Sequence, residues 1–209
     1  MGMMINRRRV MLSKSDTLPY DRIEYLQSNG VDSQYIRLPI KVQEGLDIHC
    51  KFSIVEASNY GYIFGNQDSA SDFLIVRQNG TSGKIQVMLV NGSGSATESL
   101  SHIGDIRDIH IHLWNESQTC LLDDTTLLNK TISYNKVTPY KIQLWQQTIG
   151  NLFKGKVRIY NFSIYLHDQL VLDLVPVKDN GIGYMYDKVS GQLFGNTGTG
   201  SFILGPDKN

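Results

Sequence analysis

The chain has 209 residues, 41% of them hydrophobic and 10% aromatic, which is enough for one substantial core, or at most two small ones, and excludes a disordered chain. Twenty basic residues balance twenty acidic ones, so the domain lacks the net positive charge expected of a nucleic-acid binder. No run approaches the roughly 18 apolar residues that would span a membrane as a helix.

Residues 1–17 carry Arg7, Arg8, Arg9 and Lys14 against Asp16 alone and read as a flexible basic lead-in. "VML" is too short for the apolar core of a signal peptide and no cleavage site follows, so no export signal is expected. Residues 18–209 read as one domain, because no linker composition interrupts them.

From there almost every periodic segment has period two. "GLDIHCKFSIVE" alternates from Leu46 to Ile54. "DFLIVRQ", "GKIQVMLV", "IRDIHIHLW", "QTCLLD", "KIQLW", "KGKVRIYNFSIYLHD" and "QLVLDLVPV" follow as strands rich in β-branched and aromatic residues. Asn-Gly at 79–80 and 91–92 favours tight turns. In "KVRIYNFSIYL" the apolar parity switches between Ile159 and Phe162; a bulge near Tyr160–Asn161 would reconcile the two, or both faces are covered there. About ten to thirteen strands with no helical period argue for an all-β, two-sheet antiparallel sandwich. Cys50 and Cys120 fall on the inward parity and are expected as buried thiols, although a disulfide stays open. The glycine-rich end, "GIGYMYDKVSGQLFGNTGTGSFILGP", reads as a closing segment. It should leave a strand at Pro176, turn repeatedly, and lay Tyr184, Tyr186, Phe194 and Phe202 against the sandwich edge. No phosphate-cradling glycine motif and no G-x-S-x-G nucleophile elbow is present.

Two strands carry candidate chemistry. In "DIHIHLW", Asp108, His110, His112 and Trp114 share the face opposite Ile109, Ile111 and Leu113. Histidines two apart on a strand can chelate one metal with Asp108 as third ligand, or form an exposed polar face; His49, His102 and His167 stand alone in sequence. In "KIQLW", Gln143 and Trp145 share the polar side. An indole among His, Gln and Asp suits a pyranose, whose apolar face stacks on the ring while neighbours bond its hydroxyls. Trp114, Trp145, His110, His112 and Gln143 are therefore the candidate carbohydrate face. The alternative places each indole beneath a loop in the core, and a one-residue slip would invert the assignment.

The segments "LPYDRIEYLQSNGVDSQYIRLPI", "YGYIFGNQ", "LFKGKVRIYNFSIYLHDQLVLDLVPVK" and "GYMYDKVSGQLFGNTGTGSFILGP" resemble a group of laminin-G-like, concanavalin A-like domains of tailed-phage and prophage structural proteins from gut bacteria. The resemblance covers about residues 18–206. It implies a jelly-roll of two antiparallel sheets, usually without established catalysis, in virion or adhesion proteins, with glycans or other virion proteins as partners; together with the missing export signal it places the protein in a virion or in the bacterial cytoplasm before assembly. Laminin-G-like domains often hold calcium at a sheet rim, which makes Asp123 and Asp124, or Asp68 and Asp72, candidate ligands for Ca2+. Local backbone acceptance is the commoner role of turn aspartates. Sandwich-fold glucanases carry a Glu-x-Asp-x-x-Glu pattern; here no two acidic residues stand two positions apart. The reading is a binding domain and not an enzyme. Two other roles stay open: a purely structural virion or assembly protein with no glycan ligand, and a glycan hydrolase with unrecognised carboxylates.

Overall fold

The structure, a computed structural model, describes residues 18–208 except 32, 57–60, 68–72, 81–82, 90–94, 98–100, 102, 132–136 and 147–154. The basic lead-in, the Asn-Gly pair at 91–92, His102, Asp68 and Asp72 lie outside the described residues. The chain starts with β1 (Asp21–Arg22), β2 (Leu26–Gln27), β3 (Ile36–Gln43), β4 (Leu46–Ile54), β5 (Tyr62–Gln67) and β6 (Phe73–Gln78). It continues through β7 (Ile85–Met88), β8 (Ser95–Thr97), β9 (Ile106–Trp114), β10 (Ser117–Leu122), β11 (Thr125–Lys130) and β12 (Val137–Leu144). It closes with β13 (Val157–Leu166), β14 (Gln169–Asp179), β15 (Ile182–Asp187), β16 (Leu193–Phe194) and β17 (Ile203–Leu204).

The 17 strands among the described residues exceed the expected count because four of them, β1, β2, β16 and β17, are two-residue pairings too short to show a period. The larger sheet runs β11-β10-β9-β4-β13-β14-β15-β16, with β1 on β14 and the β2–β17 pair on β13. The smaller runs β3-β12-β5-β6-β7-β8. All the strand pairs are antiparallel. The protein is thus a two-sheet antiparallel β-sandwich.

Alternation explains the layering. Leu46, Ile48, Cys50, Phe52 and Ile54 of β4 and Ile109, Ile111 and Leu113 of β9 are all buried in one core. From the other sheet, Phe64 meets Phe162 edge to face, with ring centroids 5.1 Å apart. The bulge is present: on β13 the pairing with β4 shifts between Ile159 and Asn161, so Ile159 and Phe162 both face the core despite their opposite parity.

The C-terminal segment departs from expectation at one point. Strand β14 does not end at Pro176 but continues to Asp179, with Pro176 opposite Met185. Pairing with β13 stops at Leu174, so Pro176 sits where its missing N–H breaks no ladder to that strand. Beyond β16 the glycines allow backbone to lie on backbone. Thr197 N–H donates to Tyr35 O (2.8 Å) and Thr199 N–H to Ser33 O (3.1 Å). Between them a Cβ on Gly198 would stand 1.6 Å from Ser33 O, so only glycine fits. Asn196 ties the turn: its Oδ1 accepts from Tyr35 N–H and Gly198 N–H, and its Nδ2 donates to Thr199 O and Gly200 O. Tyr184 and Tyr186 are half-buried, whereas Phe202 goes into the core.

Cys50 and Cys120 are both buried and not disulfide-bonded. Burial pushes the Cys50 thiol well above its ordinary value, with Asp108 adding to the effect, and pushes Cys120 up to about 12. In the unfolded chain both thiols ionise near about 8.5. The stability that the protonated thiols contribute is therefore complete below that pH and is lost as pH rises from it towards the folded values. Native protein at pH 8 is expected to leave a thiol-reactive disulfide reagent unconsumed, and protein unfolded in guanidinium to consume two equivalents per chain. Rapid reaction of the native protein would overturn the buried placement.

Candidate functional site

On the outer face of the larger sheet, β4 lies between β9 and β13. Register sets its polar side chains in two rows. Tyr165, Asp47, His112 and Thr119 form one; Ser163, His49, His110 and Leu121 form the next. Trp114 follows His112 on the same face at the end of β9. His167 arrives from the turn after β13. Gly45, at φ +82°, lets the β3–β4 turn pass beneath the His167 ring, where a Cβ would stand 2.3 Å from it. His167 N–H also donates to Gly45 O (2.8 Å).

Asp47 is the centre of this group and only 8% exposed. Its Oδ1 lies 2.5 Å from His112 Nδ1 and 3.3 Å from His110 Nε2. Trp114 Nε1–H donates to Oδ2 at 3.4 Å. The aromatic rings form two groups that meet at Asp47. His49 stacks on His110 (3.9 Å between centroids) and meets Tyr165 edge-on, while His112 stacks on Trp114 (5.4 Å) and His167 meets that indole edge-on. Burial, then the neighbouring His110 ring, holds the His49 imidazole below its ordinary value; Asp47 and Asp108 pull the other way. His49 is thereby biased towards the neutral form, which can both donate and accept a hydrogen bond.

The expected face is divided by the fold. Trp114, His110 and His112 come together, half-buried, on the outer face of the larger sheet. Trp145 does not join them. Strand β12 ends at Leu144, and Trp145 takes φ +63°, which breaks the alternation from which an outward side chain was expected. Its indole turns into the core, 5% exposed, donating from Nε1 to Val157 O (2.9 Å) and packing on Phe202 (4.7 Å between centroids). Gln143 keeps its outward parity but on the other sheet, so it faces away from Trp114. It is 2% exposed and lines an open groove of about 280 Å3 with Arg37, Pro139, Tyr140 and Lys141. Trp145 and Gln143 are therefore removed from the candidate face.

The aspartate expectations also change. Asp108, expected beside the histidines as a metal ligand, is exposed and pairs with Lys51 across the strand (3.7 Å). Asp123 and Asp124 occupy the β10–β11 turn with φ values of 45° and 63°. Asp123 Oδ2 accepts from Arg107 Nε and its Oδ1 from Asp108 N–H (2.8 Å), so both oxygens serve the local backbone and an ion pair. Among the described residues, Asp123 and Asp124 belong to no cluster of three ligand side chains.

Sequence reasoning missed Asp47, Tyr165 and the participation of His49 and His167. One signal was present. The triplet Asp-Ile-His occurs twice, at 47–49 and 108–110, on two strands of equal length. Their pairing places His49 opposite His110 and Asp47 opposite His112.

No protein-family model matches the chain, and no curated protein matches it in sequence. Solved structures do. Mouse laminin α1 chain domains LG4-5 superpose with a TM-score of 0.55 at 13% identity, over 90% of this chain and 48% of that one. A protein from Bacteroides ovatus for which carbohydrate binding is inferred gives 0.57 at 8% identity, over 90% of this chain and 61% of that one. Trypanosoma rangeli sialidase in complex with sialic acid gives 0.50 at 9%, over 71% of this chain and 26% of that one. The chain thus spans about half of the laminin fragment and three fifths of the Bacteroides protein. At these identities the likeness defines the fold, a laminin-G-like, concanavalin A-like sandwich.

Proposed function

We propose that this domain is a non-catalytic binding module that recognises carbohydrate through the outer face of its larger sheet, centred on Trp114. The observation that carries the reading is the half-buried Trp114 indole, flanked by His112, His167 and Asp47, with His110 on the far side of that carboxylate, on one sheet face. A pyranose packs its C–H face on such a ring, and the imidazoles exchange hydrogen bonds with its hydroxyls. One structural neighbour, the Bacteroides ovatus protein, is named for carbohydrate binding, in keeping with this use of the fold. The setting we propose is a phage or prophage virion, on the strength of the sequence segments that resemble such proteins. There, copies arrayed on a particle would convert weak single contacts into avidity.

The test is a glycan array read with the wild-type protein and with Trp114→Ala. Trp114 lies outside the core cluster, so the variant should keep the wild-type circular dichroism spectrum. Its binding to any glycan scored by the wild type should fall about tenfold, the equivalent of roughly 1.4 kcal/mol of stacking. An empty array, or undiminished binding by the variant, would refute the platform. Release of reducing sugar from the same glycans would replace the binding module with a hydrolase.

A further inference from the structure

We propose that Asp47, His110 and His112 form a binding site for a divalent transition-metal ion of the Zn2+ class. The site shares these three side chains with the proposed glycan face, but its test requires no glycan. Its ligand atoms all lie within 4.8 Å of one another. The two imidazoles address the same carboxylate oxygen, Oδ1, from 2.5 and 3.3 Å. The two ring nitrogens and this oxygen thus gather at one point of the sheet face, as the ligands of a shared ion do. Around a tetrahedral ion with bonds near 2.0–2.1 Å, ligand atoms stand about 3.3 Å apart. The His110 spacing already matches that value, and His112 reaches it with a displacement of under about 1 Å.

The surroundings support the same assignment. Trp114 Nε1–H occupies Oδ2, which orients the carboxylate and leaves Oδ1 to the ion, as an outer partner does in metal sites. Asp47 is held on the strand between the two that flank it, and both histidines are on β9, so the ligands sit on paired backbone and not on a loop. Two nitrogens and one oxygen select a borderline ion such as Zn2+ or Co2+ over Ca2+ or Mg2+, which take oxygen ligands. The His110 and His112 side chains are 39% and 34% exposed, so an ion here has access from solvent and a fourth position for water or a ligand oxygen.

The experiment is calorimetric titration of tag-free, full-length protein with ZnCl2 in the absence of saccharide. One ion per chain is expected. His110→Ala, His112→Ala and the isosteric Asp47→Asn should each weaken binding by at least about tenfold. CoCl2, added to the unaltered protein, should develop the visible absorption of a four-coordinate site, and ZnCl2 but not excess CaCl2 should abolish it. This arm needs no variant and so survives a misfolded one. Failure to bind either ion stoichiometrically would overturn the site. So would full-affinity binding by a folded His110→Ala/His112→Ala protein. An empty glycan array leaves this outcome untouched, and a failed titration leaves the glycan reading standing.

Discussion

Trp145→Ala is expected to lower the unfolding free energy by about 3–5 kcal/mol, the range for deleting a buried aromatic side chain. The indole is 5% exposed and joins two parts of the chain that are distant in sequence. Phe202, from the C-terminal segment, packs on one side of it, and Val157 O at the start of β13 receives its N–H. Alanine at this position opens a cavity that the surrounding strands cannot close, because they are fixed by their own ladders. It also removes one donor from Val157 O, although Ser28 N–H still reaches that carbonyl at 3.1 Å. Trp145→Phe should keep most of the packing and lose the hydrogen bond, at a cost of about 1–2 kcal/mol. Urea unfolding monitored by circular dichroism measures both. A change below about 1 kcal/mol for Trp145→Ala would place the indole outside the core. Trp114→Ala, by contrast, should alter glycan binding more than stability. The two tryptophans therefore separate recognition from folding.

Asp187→Ala should cost on the order of 3 kcal/mol, through hydrogen bonds and not through packing. Asp187 is 1% exposed at the end of β15. Its Oδ1 accepts from the backbone N–H groups of Asp173 (2.9 Å) and Val189 (3.1 Å). Its Oδ2 accepts from Ser190 N–H (3.1 Å) and Ser190 Oγ (2.5 Å). This one carboxylate thus organises the "DKVSG" turn and fastens it to β14, and alanine leaves these donors without an acceptor. Asp187→Asn keeps Oδ1 but points an amide at the Ser190 donors, so an intermediate loss is expected. The same unfolding experiment checks both variants. Equal stability of Asp187→Ala and wild type would show that water replaces the carboxylate without penalty and would sink the prediction.

Much of the fold was legible because β alternation is a local property. The inward rows of β4, β9 and β13 follow from residues two apart, and the bulge on β13 from a change of parity at Tyr160–Asn161. The two-residue strands were not legible, since two residues carry no period. At the candidate site, the outward placement of Trp114, His110 and His112 was determined by the same local rule. The loss of Trp145 was decided by a positive φ one residue past the end of β12, which alternation does not encode.

The sequence by itself thus determined the class of fold, the inward face of each long strand, and the outward side of "DIHIHLW". The tertiary structure alone decided which outward side chains meet. It set Asp47 against His112 and His110, stacked His49 on His110, brought His167 to Trp114, and turned Gln143 to the opposite side of the sandwich. The physical reason is that the direction of a side chain follows from its own strand. Its cross-strand neighbours follow from the register of segments more than 60 residues apart, such as Asp47 and His110.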